Sequence, residues 1–131
     1  MKTRFVYTGI RVKDIKKSIA FYSKVFGMKA VRRGKAPHGG IYVALRNPKS
    51  DQELELNWYP KTSMFYSSFT KGEALDHLAF AVGEGKIEQA FRELVSKGAK
   101  PAVSPEQAKG VTDVYVKDPD GNWIELLDWK V

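Results

Sequence analysis

Glu53-Leu54-Glu55-Leu56-Asn57-Trp58-Tyr59 reads as a β-strand. Successive strand residues point to opposite sides, so Leu54, Leu56 and Trp58 share one face and Glu53, Glu55 and Asn57 the other. Seventy residues later the pattern returns, with Ile124-Glu125-Leu126 set against Leu54-Glu55-Leu56. Tyr7 and His77 stand at the same separation, as do Ala20 and Ala90, Phe21 and Phe91, and Val25 and Val95. The chain is one short module written twice.

The first copy opens with a strand pattern from Phe5 to Val12. Asp14 is placed to cap a helix whose buried face carries Ile15, Ile19, Tyr22 and Phe26, and Gly27 ends it. Strands are expected at Lys29–Arg33, Ile41–Arg46 and Glu53–Tyr59, with Asn47-Pro48-Lys49-Ser50 turning between the last two. The second copy repeats this order. It has a strand at Asp76–Val82 and a helix burying Ile87, Ala90, Phe91, Leu94 and Val95, with Gly98 as its stop. Strands follow at Lys100–Val103, Thr112–Val116 and Trp123–Trp129, and Asp118-Pro119-Asp120-Gly121 forms a turn. The expected fold is α+β: a single domain, 1–131, made of βαβββ modules at 1–61 and 75–131. Residues 62–74 connect them. That connection carries Met64, Phe65, Tyr66 and Phe69, and is either a packed crossover or a flap over a pocket.

Each copy has one greasy face, which packs its helix. The other face mixes small and polar residues: Tyr7, Gly9 and Arg11 on the first strand, and His77, Ala79 and Ala81 on its counterpart. Sheets curled around a cavity have this pattern. Two inward carboxylates, Glu55 and Glu125, are costly there unless compensated, and a divalent cation would compensate them. A lone histidine is more often structural than ligating, but the repeat places Tyr7/His77 and Glu55/Glu125 symmetrically. His38, in Ala36-Pro37-His38-Gly39-Gly40, reads as an exposed loop histidine.

With 131 residues there is room for one core. There are no cysteines, so any metal is held by nitrogen and oxygen. The net charge of +7 is scattered, with one tight cluster at Arg32, Arg33 and Lys35. No nucleic-acid-binding motif accompanies it, which favours a solvated surface or steering of an anionic small substrate. No apolar run approaches the roughly 20 residues of a membrane span, and the N-terminus has no signal-peptide core. The expectation is a cytoplasmic protein with no nucleic-acid or membrane partner.

Three stretches carry a family resemblance: Ile10-Arg11-Val12-Lys13-Asp14-Ile15-Lys16-Lys17-Ser18-Ile19-Ala20-Phe21-Tyr22, Asp76-His77-Leu78-Ala79-Phe80, and Asp118-Pro119-Asp120-Gly121-Asn122-Trp123-Ile124-Glu125-Leu126. The chain resembles the vicinal oxygen chelate superfamily: glyoxalase I, extradiol dioxygenases, methylmalonyl-CoA epimerase, and fosfomycin and bleomycin resistance proteins. Within it the sequence looks most like glyoxalase I, a lactoylglutathione lyase. That resemblance implies curved sheets around a metal cavity, with Glu55, His77 and Glu125 as ligands of a divalent ion (Ni, Zn, Co, Mn or Fe).

The remaining ligand position, His or Gln in glyoxalase I, is Tyr7 here. A phenol, with a pKa near 10, is a poor neutral ligand. Tyr7 is expected to bridge through a water, or otherwise to bind as phenolate. Arg11 matches an arginine that holds a substrate carboxylate. Asn57 resembles an asparagine after the ligand glutamate, though only Leu56 intervenes, fewer residues than in glyoxalase I. Met64 and Phe65 would complete substrate binding.

The resemblance implies a lyase/isomerase that abstracts a proton next to a chelated carbonyl, with Glu125 as base and Glu55 as its mirror-image alternative. The alternatives are an extradiol-type dioxygenase, an acyl-CoA epimerase, and a drug-binding resistance protein. The dioxygenase is disfavoured because Tyr7 removes one histidine of its facial triad. The resistance protein would dispense with the metal. A homodimer acting on a small molecule is also implied.

Overall fold

Each half of the repeat builds its own mixed sheet. The computed structural model describes residues 2, 7–35, 39–63, 65–66, 68–71, 75, 77–108 and 114–131. Two compact units divide the chain, Met1–Phe69 and Thr70–Val131. The first contains β1 (Thr8–Arg11), α1 (Ile15–Phe26), β2 (Lys29–Lys35), β3 (Ile41–Arg46) and β4 (Leu54–Trp58). Its sheet order is β1-β4-β3-β2, with β1 parallel to β4 and the other pairs antiparallel. The second contains β5 (His77–Ala81), α2 (Ile87–Ser96), β6 (Lys100–Val103), α3 (Pro105–Ala108), β7 (Val114–Lys117) and β8 (Trp123–Leu127). Its order, β5-β8-β7-β6, is that of the first sheet, again with the first strand parallel to the last. The α+β fold of tandem βαβββ modules is as expected.

The boundaries differ in particular ways. The strand expected to stop at Arg33 continues to Lys35, and the final strand ends at Leu127, short of Trp129. The one-turn helix α3 has no counterpart among the described residues of the first module and no expectation in the sequence. The expected strand starts at Phe5, Asp76 and Thr112 lie outside the described residues, as does His38.

Helix α1 begins and ends as its sequence dictates. The Asp14 carboxylate accepts the Lys17 backbone N–H at 3.0 Å. Gly27 takes the left-handed conformation at φ 65°, and its own N–H and that of Met28 close on the Ser23 and Tyr22 carbonyls. The buried stripe differs from the expected one: Ser18, Phe21, Tyr22 and Val25 face β3 and β4. Of the expected residues only Tyr22 is buried, while Ile15, Ile19 and Phe26 are half-buried at the edges. The stripe is rotated by about one residue toward Phe21, whose ring meets Tyr22 edge-on at 5.1 Å. Helix α2 buries Phe91 and Leu94, with Ile87, Ala90 and Val95 half-buried beside them. It packs on β7 and β8 over Val114, Val116, Ile124 and Leu126, each at most 2% exposed.

An irregularity in β2 decides where its cations point. Ala30 pairs with Leu45, but Arg32, two residues on, pairs with Ala44. Val31 is the extra residue, and a bulge of this kind flips the parity of everything after it. Arg32 and Gly34 therefore share a face with Glu55. Arg33 is opposite Val43 on the helix side. The cluster Arg32-Arg33-Lys35 is split between the two faces and forms no single basic loop.

Candidate functional site

The register of the first sheet lines up Gly9, Glu55, Ala44 and Arg32 in one row across four strands. The next row is Arg11, Asn57, Tyr42 and Gly34. Glycine and alanine flank Glu55, so the long Arg32 side chain can cross over Ala44. Its Nη2 lies 3.0 Å from Glu53 Oε1 and 3.4 Å from Glu55 Oε2. The guanidinium stands 5.3 Å from the Tyr7 ring centroid and 6.0 Å from that of Tyr42, within cation–π range of both. Gly34 makes room for Tyr42: a Cβ at Gly34 would sit 2.7 Å from the Tyr42 hydroxyl.

These contacts explain how a nearly buried carboxylate is tolerated. The Glu55 side chain is 11% exposed, and Arg32 supplies the compensating charge. In turn the Glu53 hydrogen bond, reinforced by the charges of Glu53 and Glu55, holds the Arg32 guanidinium above its ordinary value against a lowering by desolvation. The sequence expectation named a divalent cation at Glu55 and did not foresee Arg32, which contacts the carboxylate in the structure.

The second sheet is built differently at the equivalent place. Its row is Ala79, Glu125, Tyr115 and Val103, so Tyr115 stands where the first sheet has Ala44 and no arginine follows. Glu125 meets His77 instead, with Nε2 3.3 Å from Oε2. His77 comes from the start of β5, next to Trp123, and its ring is edge-on to Tyr115 at 6.0 Å. The His77 and Glu125 side chains are 38% and 17% exposed, so both are reachable from solvent. One imidazole nitrogen and one carboxylate beside the small Ala79 and Ala81 make a donor set that fits a divalent cation of the nitrogen–oxygen class. Among the described residues no group of three or more His, Asp or Glu side chains is gathered to hold a metal.

The remaining expected residues are placed as follows. Asn57 lies on the Glu55 face, its Nδ2 3.2 Å from where a Gly9 Cβ would be, and donates to the Glu55 carbonyl at 3.3 Å. Arg11 is exposed and in register with Asn57. Tyr7 is 41% exposed. Phe65 is exposed, its ring tilted against that of Tyr59 with centroids 5.7 Å apart. Met64 lies outside the described residues.

Residues that sequence reasoning missed are Arg32, as partner of Glu55, and Asp118. Asp118 is 1% exposed and accepts from the backbones of Asp120 and Asn122 and from the Asn122 amide, at 2.8–2.9 Å. It ties the β7–β8 turn that delivers Trp123 and Glu125 to the sheet. Its position in Asp118-Pro119-Asp120-Gly121 signalled a turn, but not a buried anchor.

A two-fold βαβββ architecture with paired carboxylates defines a class, and comparison with known proteins identifies it. Residues 4–126 match the sequence model of the Glyoxalase/Bleomycin resistance protein/Dioxygenase superfamily, and the chain belongs to that superfamily. It is 31% identical to the lactoylglutathione lyase of Salmonella typhimurium, over 97% of this chain and 93% of that protein. The trypanothione-dependent glyoxalase I of Leishmania major superposes with a TM-score of 0.73 at 28% identity, over 97% of this chain and 87% of that one. Glyoxalase I of Zea mays gives a TM-score of 0.76 at 26% identity; this chain is covered over 98% and spans 45% of the maize chain. No described helix is long and apolar enough to cross a membrane.

Proposed function

We propose that this chain is a divalent-metal-dependent, glyoxalase I-like lyase/isomerase. It would move a proton between adjacent carbons of a hemithioacetal formed from a thiol and a 2-oxoaldehyde. The observation that carries this is the His77–Glu125 pair, an imidazole and a carboxylate 3.3 Å apart beside Ala79. Similarity to lactoylglutathione lyases along nearly the whole chain supports it. His77 and Glu125, with Glu55, are the proposed ligands.

When bound, the cation supplies Lewis acidity to two neighbouring substrate oxygens. Glu125 takes the carbon-bound proton and returns it to the adjacent carbon, a role that suits a partly exposed carboxylate with no arginine on it among the described residues. Glu55 is the weaker candidate for the base, because Arg32 already engages it. The Tyr7 ring carries the Arg32 guanidinium, which supports a water-bridging role over direct ligation. Arg11 and Asn57 hold the anionic part of the substrate, and Phe65 its apolar part. A homodimer and a cytoplasmic location belong to the same reading.

The test is turnover of methylglyoxal hemithioacetals, made from several thiols, by protein loaded with Ni²⁺, Co²⁺, Mn²⁺ or Zn²⁺. Glu125→Gln is expected to lower kcat by about 10²–10⁴-fold with unchanged circular dichroism. Failure of every metal-loaded form on every hemithioacetal would refute the assignment.

A further inference from the structure

Among the described residues, Glu55 has an arginine on it and Glu125 has none. We propose that Arg32 is a resident cation which competes with a divalent ion for the Glu55 carboxylate, and so sets how tightly this chain takes up metal. The proposal rests on the reading of Glu55 as a metal ligand.

Four observations carry it. Arg32 Nη2 contacts both Glu53 and Glu55, so the guanidinium partly offsets the charge of the carboxylate that a metal would need. Tyr7 and Tyr42 each lie within cation–π range of the guanidinium, so it is positioned from several directions. The Val31 bulge is what brings Arg32 to this face, since in a regular ladder Val31 would pair with Ala44 and Arg32 would fall opposite Val43 on the helix side. The matched row in the second sheet ends in Val103, so the device belongs to the first module alone. A guanidinium and a divalent cation cannot both take the full charge of one carboxylate. Metal binding at Glu55 therefore requires Arg32 to loosen its hold, and that requirement weakens the apparent affinity. Arg32 is a positioning residue here: it acts through Glu55.

The test is calorimetric titration of chelator-treated protein with Ni²⁺ alone, and with Co²⁺ followed by its visible spectrum. The variants are Arg32→Gln, Glu55→Gln and their combination. Arg33→Gln removes the same charge from the opposite face. Arg32→Gln is expected to bind roughly two- to fivefold tighter, the upper range for losing one partly exposed ion pair. It should also change the Co²⁺ spectrum as the carboxylate joins the metal. Adding Glu55→Gln should abolish the gain, and Arg33→Gln should give no comparable gain. Arg32→Lys keeps the charge without the fork. It is expected to tighten binding by a smaller factor, and it decides the matter should Arg32→Gln not fold.

If the wild type binds metal and a folded Arg32→Gln binds no tighter, or if the gain survives Glu55→Gln, the competition is refuted while the metal reading stands. If neither wild type nor Arg32→Gln takes up metal, both are refuted.

Discussion

Asp118 shows how much one side chain can hold at this site. Its carboxylate satisfies three donors in a buried turn, two of them backbone N–H groups. Asp118→Ala leaves those donors unpaired and is expected to cost about 3 kcal/mol, read as a lower midpoint in urea at unchanged m-value. A cost below about 1 kcal/mol would mean that water replaces the carboxylate without penalty. Sequence parity correctly placed Glu55 and Asn57 on one face and His77 with Ala79 and Ala81 on another. It could not reveal Arg32 as the partner of Glu55, because the Val31 bulge reverses parity within β2 and leaves no local signature. Burial of Asp118 was equally hidden, since Asp118-Pro119-Asp120-Gly121 reads the same in an exposed turn.

At the level of elements, α1 is specified by its ends more than by its middle. Asp14 and Gly27 were readable because each answers a local backbone demand: an unpaired N–H at one end, a left-handed residue at the other. The buried stripe was misplaced by about a residue because the angle of a helix on its sheet depends on the partner strands. No atom lies within 4 Å of a Cβ built on Gly27, so Gly27→Ala tests the backbone term alone. It is expected to destabilise the protein by about 1 kcal/mol, lowering Tm by a few degrees. An unchanged Tm would contradict the left-handed cap. The succession of elements was legible through the repeat, since β-α-β-β-β recurs with the same spacing, whereas the order of strands within each sheet had no local signal. Helix α3 had no such second copy among the described residues to point to it.

For the whole molecule, duplication produces two sheets of one design whose polar faces have diverged. The first carries Tyr7, Arg32 and Glu55, with an arginine already on the carboxylate. The second carries His77 and Glu125 within reach of solvent. This asymmetry is why we assign proton transfer to Glu125, and why metal uptake is the property on which the account depends. The decisive measurement is a calorimetric titration of chelator-treated wild-type protein with Ni²⁺, beside His77→Ala and Glu125→Gln. The account predicts about one ion bound per chain by the wild type and loss of that binding in both variants. No uptake by the wild type, or uptake untouched by either substitution, would contradict it.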